Sequence, residues 1–86
     1  MKAQFVITDI EWLFKQHDEE NKISEIMTKN NWNFEYHEAT KDIELDFPIT
    51  IDQDIWVDGF EDIFKIEEIC FMVDENKTKY FLLYNQ

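Results

Sequence analysis

The sequence predicts an α+β domain, with an N-terminal helical segment packed on an antiparallel sheet of about four strands. Three observations carry this expectation. Apolar residues recur at helical spacing between Ile10 and Met27. From Trp32 the apolar period drops to two. The two β-rich runs "ICFMV" and "YFLLY", separated by "DENKTK", then read as a hairpin.

The elements follow in order. "AQFVI", residues 3–7, reads as a short strand. Thr8 and Glu11 have capping-box spacing, which satisfies free backbone donors at a helix start. Ile10, Leu13 and Phe14, then Ile23, Ile26 and Met27, place helices over about residues 9–17 and 23–29 around the polar corner "HDEEN". One continuous helix is the alternative. Trp32, Phe34 and Tyr36 alternate with Asn33, Glu35 and His37, the pattern of a half-buried strand, with "ATK" as its turn. Alternation continues through Ile43, Leu45, Phe47, Ile49 and Ile51, and Pro48 within it points to an edge strand or a bulge. "DQDIWVDGFED" reads as an irregular connection in which Gly59 supplies a positive φ. The C-terminal hairpin has strands near residues 64–73 and 79–84. A helix over 60–69 competes with its first strand, because Asp58 and Glu61 also have cap spacing. The expected core is Trp32, Phe34, Tyr36, Ile43, Leu45, Phe47 and Phe71.

Eighty-six residues, 44% of them hydrophobic, make one small domain able to bury a modest core. The charge balance is the strongest global signal. Twenty Asp and Glu face eight Lys and no Arg, for a net charge of −12. Such a chain repels nucleic acid and anionic lipid and attracts basic surfaces. The expected partner is therefore a Lys/Arg-rich protein, with no direct nucleic acid and no membrane, and the chain itself a monomer or homodimer. The apolar runs are too short to span a bilayer, and the N-terminus lacks a signal-peptide apolar region. The lone Cys70 cannot form an internal disulfide, which fits a reducing, cytoplasmic setting; among its apolar neighbours it reads as an inert, half-buried thiol.

The acids converge on one stretch. Asp42, Glu44 and Asp46 would share a strand face at intervals of about 6.6–6.8 Å, close to the spacing of phosphates along a nucleic-acid strand. Asp52, Asp54, Asp58, Glu61 and Asp62 extend the row, with only Lys41 and Lys65 at its margins. Trp56, between Asp54 and Asp58, has the setting of an aromatic anchor ringed by charge. The plain alternative is a solvated face that keeps the protein soluble.

Chemistry is poorly represented. Asp54, Asp58 and Gly59 partly match a calcium loop, but Trp56 and Lys65 fall where oxygen ligands are required, so no metal site is assigned. His17 and His37 lie beside carboxylates in a chain where any histidine would. No nucleophile signature surrounds Cys70 or the hydroxyl residues, and one glycine excludes a phosphate-binding loop. The expectation is a non-enzyme with no cofactor. In size and charge the profile looks like the small acidic inhibitors that phages and mobile elements use against nucleic-acid-handling enzymes. A nucleic-acid mimic of this counter-defence type is the first functional reading. An immunity protein or antitoxin against a basic toxin, or a housekeeping interaction module, are the alternatives.

Overall fold

A computed structural model describes residues 1–16, 20–60 and 63–84. The elements run β1 (Lys2–Ile7), α1 (Ile10–Gln16), α2 (Glu20–Lys29), β2 (Asn33–Glu35), β3 (Glu38–Glu44), β4 (Asp54–Trp56), β5 (Ile63–Met72) and β6 (Lys77–Tyr84). All six strands form one sheet in the order β2-β3-β1-β6-β5-β4.

This corrects the expected architecture. The sheet has six strands rather than about four, and it is mixed, because β1 runs parallel to β6. The two short helices follow β1 and connect it to β2, instead of forming an N-terminal layer. Periodicity shows which face of a strand is buried; it carries nothing about which strands are neighbours or how they run. Parallel β1–β6 pairing is for that reason invisible to it.

One face of the sheet holds the core. Ala3 and Ile7 of β1, Ala39 of β3, Phe64 and Ile66 of β5, and Tyr80 and Leu82 of β6 meet Ile10, Leu13 and Phe14 of α1 and Ile23 and Met27 of α2. Phe60, just before β5, ties these layers together. It stacks on Phe14 at 6.5 Å and meets Phe64 edge-on at 5.2 Å. Gly59, in the turn before it, has φ +102°, and a Cβ there would stand 3.3 Å from Ile23 Cγ2. The expected positive φ is present, and the close approach to α2 is a second reason for glycine.

The helices form nearly where the spacing places them, but their entry differs. Asp9, at φ 53°, accepts the first helical N–H groups through its carbonyl, from Trp12 and Leu13. Glu11 is turned away to His37, whose Nδ1 lies 3.1 Å from its carboxylate. The polar corner at His17 to Glu19 lies outside the described residues.

The strand expected around Trp32 to Tyr36 is cut short. Trp32 is buried, but Phe34 is exposed and Tyr36 is 88% exposed. The chain reverses at Tyr36–His37, and the "ATK" expected as a turn lies inside β3 with Ala39 fully buried. Tyr36 makes that turn at φ 56°, a conformation that costs an L residue about 1–2 kcal/mol. Tyr36→Asn, which tolerates this region, should therefore raise stability by about 0.5–1 kcal/mol, or several degrees in Tm. A Tm that stays level or falls would show that the exposed ring contributes packing.

The long alternation after Ile43 also ends early. β3 stops at Glu44, where Leu45 N–H bonds Met1 O at 2.9 Å. Residues 45–53 then cross the core face to reach the far edge of the sheet. Ile49 donates its N–H to the Tyr80 hydroxyl at 3.2 Å, and Gln53 and Asp52 bond Ile66. Leu45 and Ile49 pack on the core, whereas Phe47 is 73% exposed and Ile51 is exposed. Pro48, lacking an N–H, suits this irregular crossing. The C-terminal hairpin forms as expected, and residues 63–69 are strand, not helix. Phe71 is exposed rather than buried because β5 outruns its cover, and Cys70, on the other face of the strand, is exposed rather than half-buried.

Candidate docking surface

Among the described residues, both helices pack on the core face, and no helix lies on the second face of the sheet. β3 presents Asp42 and Glu44 there, β1 presents Lys2 and Gln4, β6 presents Lys77, Lys79 and Leu83, and β4 presents Asp54 and Trp56. This follows from the pleat, which places alternate residues on opposite faces.

The acidic row splits into two groups. Asp42 and Glu44 are exposed on β3 with the expected spacing. Asp42 accepts a hydrogen bond from Gln4 Nε2 at 3.0 Å and lies 3.7 Å from Lys77 Nζ. Glu44 lies 3.5 Å from the N-terminal amine. Asp46 follows in the bend that leaves the strand. Asp52, Asp54, Trp56 and Asp58 lie at the opposite edge, on and around β4. β3 and β4 are separated by β1, β6 and β5, roughly 19 Å at the usual strand spacing. Glu61 and Asp62 lie outside the described residues. The expectation of one continuous ladder required the strand to run on to Ile51; the crossing of residues 45–53 breaks it.

The β4 edge is the more concentrated group. Trp56 is 63% exposed and stands directly across from the exposed Ile63. Asp54, on the same face, bonds Lys65 Nζ at 2.7 Å. That hydrogen bond, with the negative charges of Asp54 and Asp52, raises the Lys65 ammonium above the usual lysine range. Asp52 and Asp58 close the two ends of the short strand, each exposed and each without an ion-pair partner among the described residues. Asp46 likewise has none among them.

Among the described residues no polar or charged side chain is buried, and no group of three His, Cys, Asp or Glu is placed to hold a metal ion. His37 is exposed beside Glu11. No described helix is long and apolar enough to cross a membrane. Two exposed features escaped the sequence reading. Trp12 lines a groove of about 350 Å³ with Leu82 and Leu83 at the C-terminal ends of β1 and β6. Ile69 and Phe71 stand open on β5. Trp12 shares its spacing with neither Leu13 nor Phe14, a signal that it faces away from the core stripe.

Self-repulsion among these carboxylates should be measurable. Raising salt from about 10 to 300 mM, which shortens the Debye length from about 30 Å to below 10 Å, is expected to raise Tm. A Tm indifferent to salt would mean that the lysine pairs already neutralise the surface.

No protein-family model, no curated protein and no solved structure matches this chain.

Proposed function

We propose that this protein is a non-catalytic binding protein that docks carboxylates onto a Lys/Arg-rich surface of a partner protein and blocks it, the partner being one that handles nucleic acid. The observation that carries the reading is the exposed Trp56 on an edge strand, bracketed by Asp52, Asp54 and Asp58. An apolar anchor inside a rim of like charge supplies both halves of such an interface. The carboxylates steer encounter and set the sign of the partner; the indole, packed and desolvated, slows departure. Asp42 and Glu44, on the same face across the sheet, lengthen the negative field along the approach path.

A nucleic-acid-handling partner is favoured because its groove is already built for regularly spaced negative charge. Blocking then needs no chemistry, only occupancy of the groove. Immobilised protein should retain such a partner from a cell extract at low salt. Duplex DNA or RNA added in solution should displace it, and the eluted partner should bind either this protein or nucleic acid. A retained partner that holds both at once would defeat the mimicry and leave a plain interaction module.

A further inference from the structure

Beyond its bulge, β5 has a neighbour on one side only. Residues Glu68 to Met72 pair with β6, whereas β4 pairs with Ile63–Lys65. Ile66 turns both backbone groups away from β6, donating to Gln53 O at 3.0 Å and accepting from Asp52 N–H at 2.9 Å. Backbone direction alternates along an antiparallel strand. Carried through β6, the alternation bonds Glu68, Cys70 and Met72 inward, opposite Phe81, Lys79 and Lys77. The N–H and C=O of Ile69 and Phe71 therefore point out of the sheet, and no described residue bonds them.

Past the bulge and Glu68, this edge carries no further guard. The opposite edge, β2, is three residues long and carries Glu35. On β5 the run Ile69 to Met72 has neither charge nor proline, and Ile69 and Phe71 are 39% and 56% exposed. A free, apolar strand edge is a template for another strand.

We propose that this edge pairs with the same edge of a second copy of the chain, antiparallel about a two-fold axis at Cys70, joining two sheets into one. A second copy fits because the edge is complementary to itself. In this register Ile69 lies opposite the second copy's Phe71, and these are the residues whose free backbone groups point outward, so each pair exchanges N–H···O=C bonds. Their side chains gather on one face of the joined sheet. Glu68 falls opposite the second copy's Met72, which stands beside that copy's Lys77. Each Glu68 thus faces a methionine, with a lysine one strand further on, and not the other Glu68. Cys70 lies opposite itself as a non-hydrogen-bonded pair, with Cα atoms about 4.5 Å apart, inside the roughly 4.4–6.8 Å range that a disulfide spans.

The charge of −12 on each copy opposes association. Salt should therefore promote the dimer, the reverse of its effect on docking to a basic partner, so the two interactions can fail separately. Sedimentation equilibrium from low micromolar to near-millimolar protein should show mass rising toward twice the protomer. The rise should be steeper at about 300 mM than at about 20 mM salt, where the Debye length is still about 20 Å. Mild oxidation should trap a dimer through Cys70. Cys70→Ser should abolish the trap but keep the mass change, whereas Phe71→Lys, an exposed position, should abolish both with the circular dichroism spectrum unchanged. For the register, Ile69→Cys and Phe71→Cys, each in a Cys70→Ser background, should cross-link when mixed far better than either does alone. A protein that stays monomeric throughout, or cysteine pairs that cross-link equally in every combination, would overturn the proposal.

Discussion

Replacing Phe64 by alanine should remove about 3–5 kcal/mol, enough to unfold much of the population, since a small domain has only about 5–15 kcal/mol in hand. Phe64 is fully buried. Its ring meets Phe60 edge-on at 5.2 Å and Tyr84 at 5.3 Å, so truncation leaves a cavity walled by two rings that β5, β6 and the Gly59 turn hold in place. Phe47→Ala provides the contrast. Alternation assigns Phe47 to the core, yet it is 73% exposed, and its loss should stay within about 0.5 kcal/mol. Urea denaturation of both variants reads the difference directly. Equal losses would mean that the segment 45–53 packs more tightly than its exposure indicates.

The second large effect concerns the β4 edge. Converting Asp52, Asp54 and Asp58 to Asn changes the net charge from −12 to −9, by the removal of three carboxylates. If each makes one close pair with the partner, at about 1.5 kcal/mol or more, affinity should fall on the order of 10³-fold, chiefly at low salt. Asparagine is the suitable replacement, because Asp52 has φ 66° and Asn accepts that conformation. The only described ion pair lost is Asp54–Lys65, an exposed one of small stabilising effect, so the fold should survive. Trp56→Ala should leave association nearly unchanged and speed dissociation by a factor of about 30 or more, as for a buried anchor. Retained affinity in the triple variant, measured by surface plasmon resonance against the captured partner, would assign the acidic edge to solubility alone.

Legibility followed the local physics. The helices, the C-terminal hairpin and the Gly59 turn were readable because spacing and backbone freedom are properties of neighbouring residues. Asp42 and Glu44 were placed outward, and Ile43 inward, for the same reason. Tyr36 and Phe47 were misplaced where alternation outlasts the strand: a turn made by a tyrosine at positive φ has no compositional mark, and the crossing segment partly buries Ile49 through a single bond to the Tyr80 hydroxyl while leaving Phe47 outside. The acidic row was legible as composition but not as geometry, because strand order leaves Glu44 on β3 and carries Asp54 to the far edge of the sheet. The exposure of Trp56 was readable from its charged flanks and that of Trp12 from its offset against Leu13 and Phe14; that of Phe71 depends on how far the helices reach over the sheet.

The pairing of β1 with β6 dictates the order in which the molecule assembles. Ala3 lies beside Thr78, 75 positions along the chain (78 − 3), whereas Met72 and Lys77 of the β5–β6 hairpin are 5 apart (77 − 72). Closing the longer loop costs roughly 2 kcal/mol more chain entropy. The hairpin should therefore form early, and β1 should enter the gap between β6 and β3 late, completing the centre of the sheet last. In kinetic terms, Val6→Ala in β1 should chiefly accelerate unfolding, while Tyr84→Leu in β6, whose ring meets Phe64 of β5 at 5.3 Å, should slow folding. A rate-limiting step that waits on so distant a contact belongs to the slower folders of this size, and until it is passed the inner flanks of β6 and β3 stand open to the wrong neighbour.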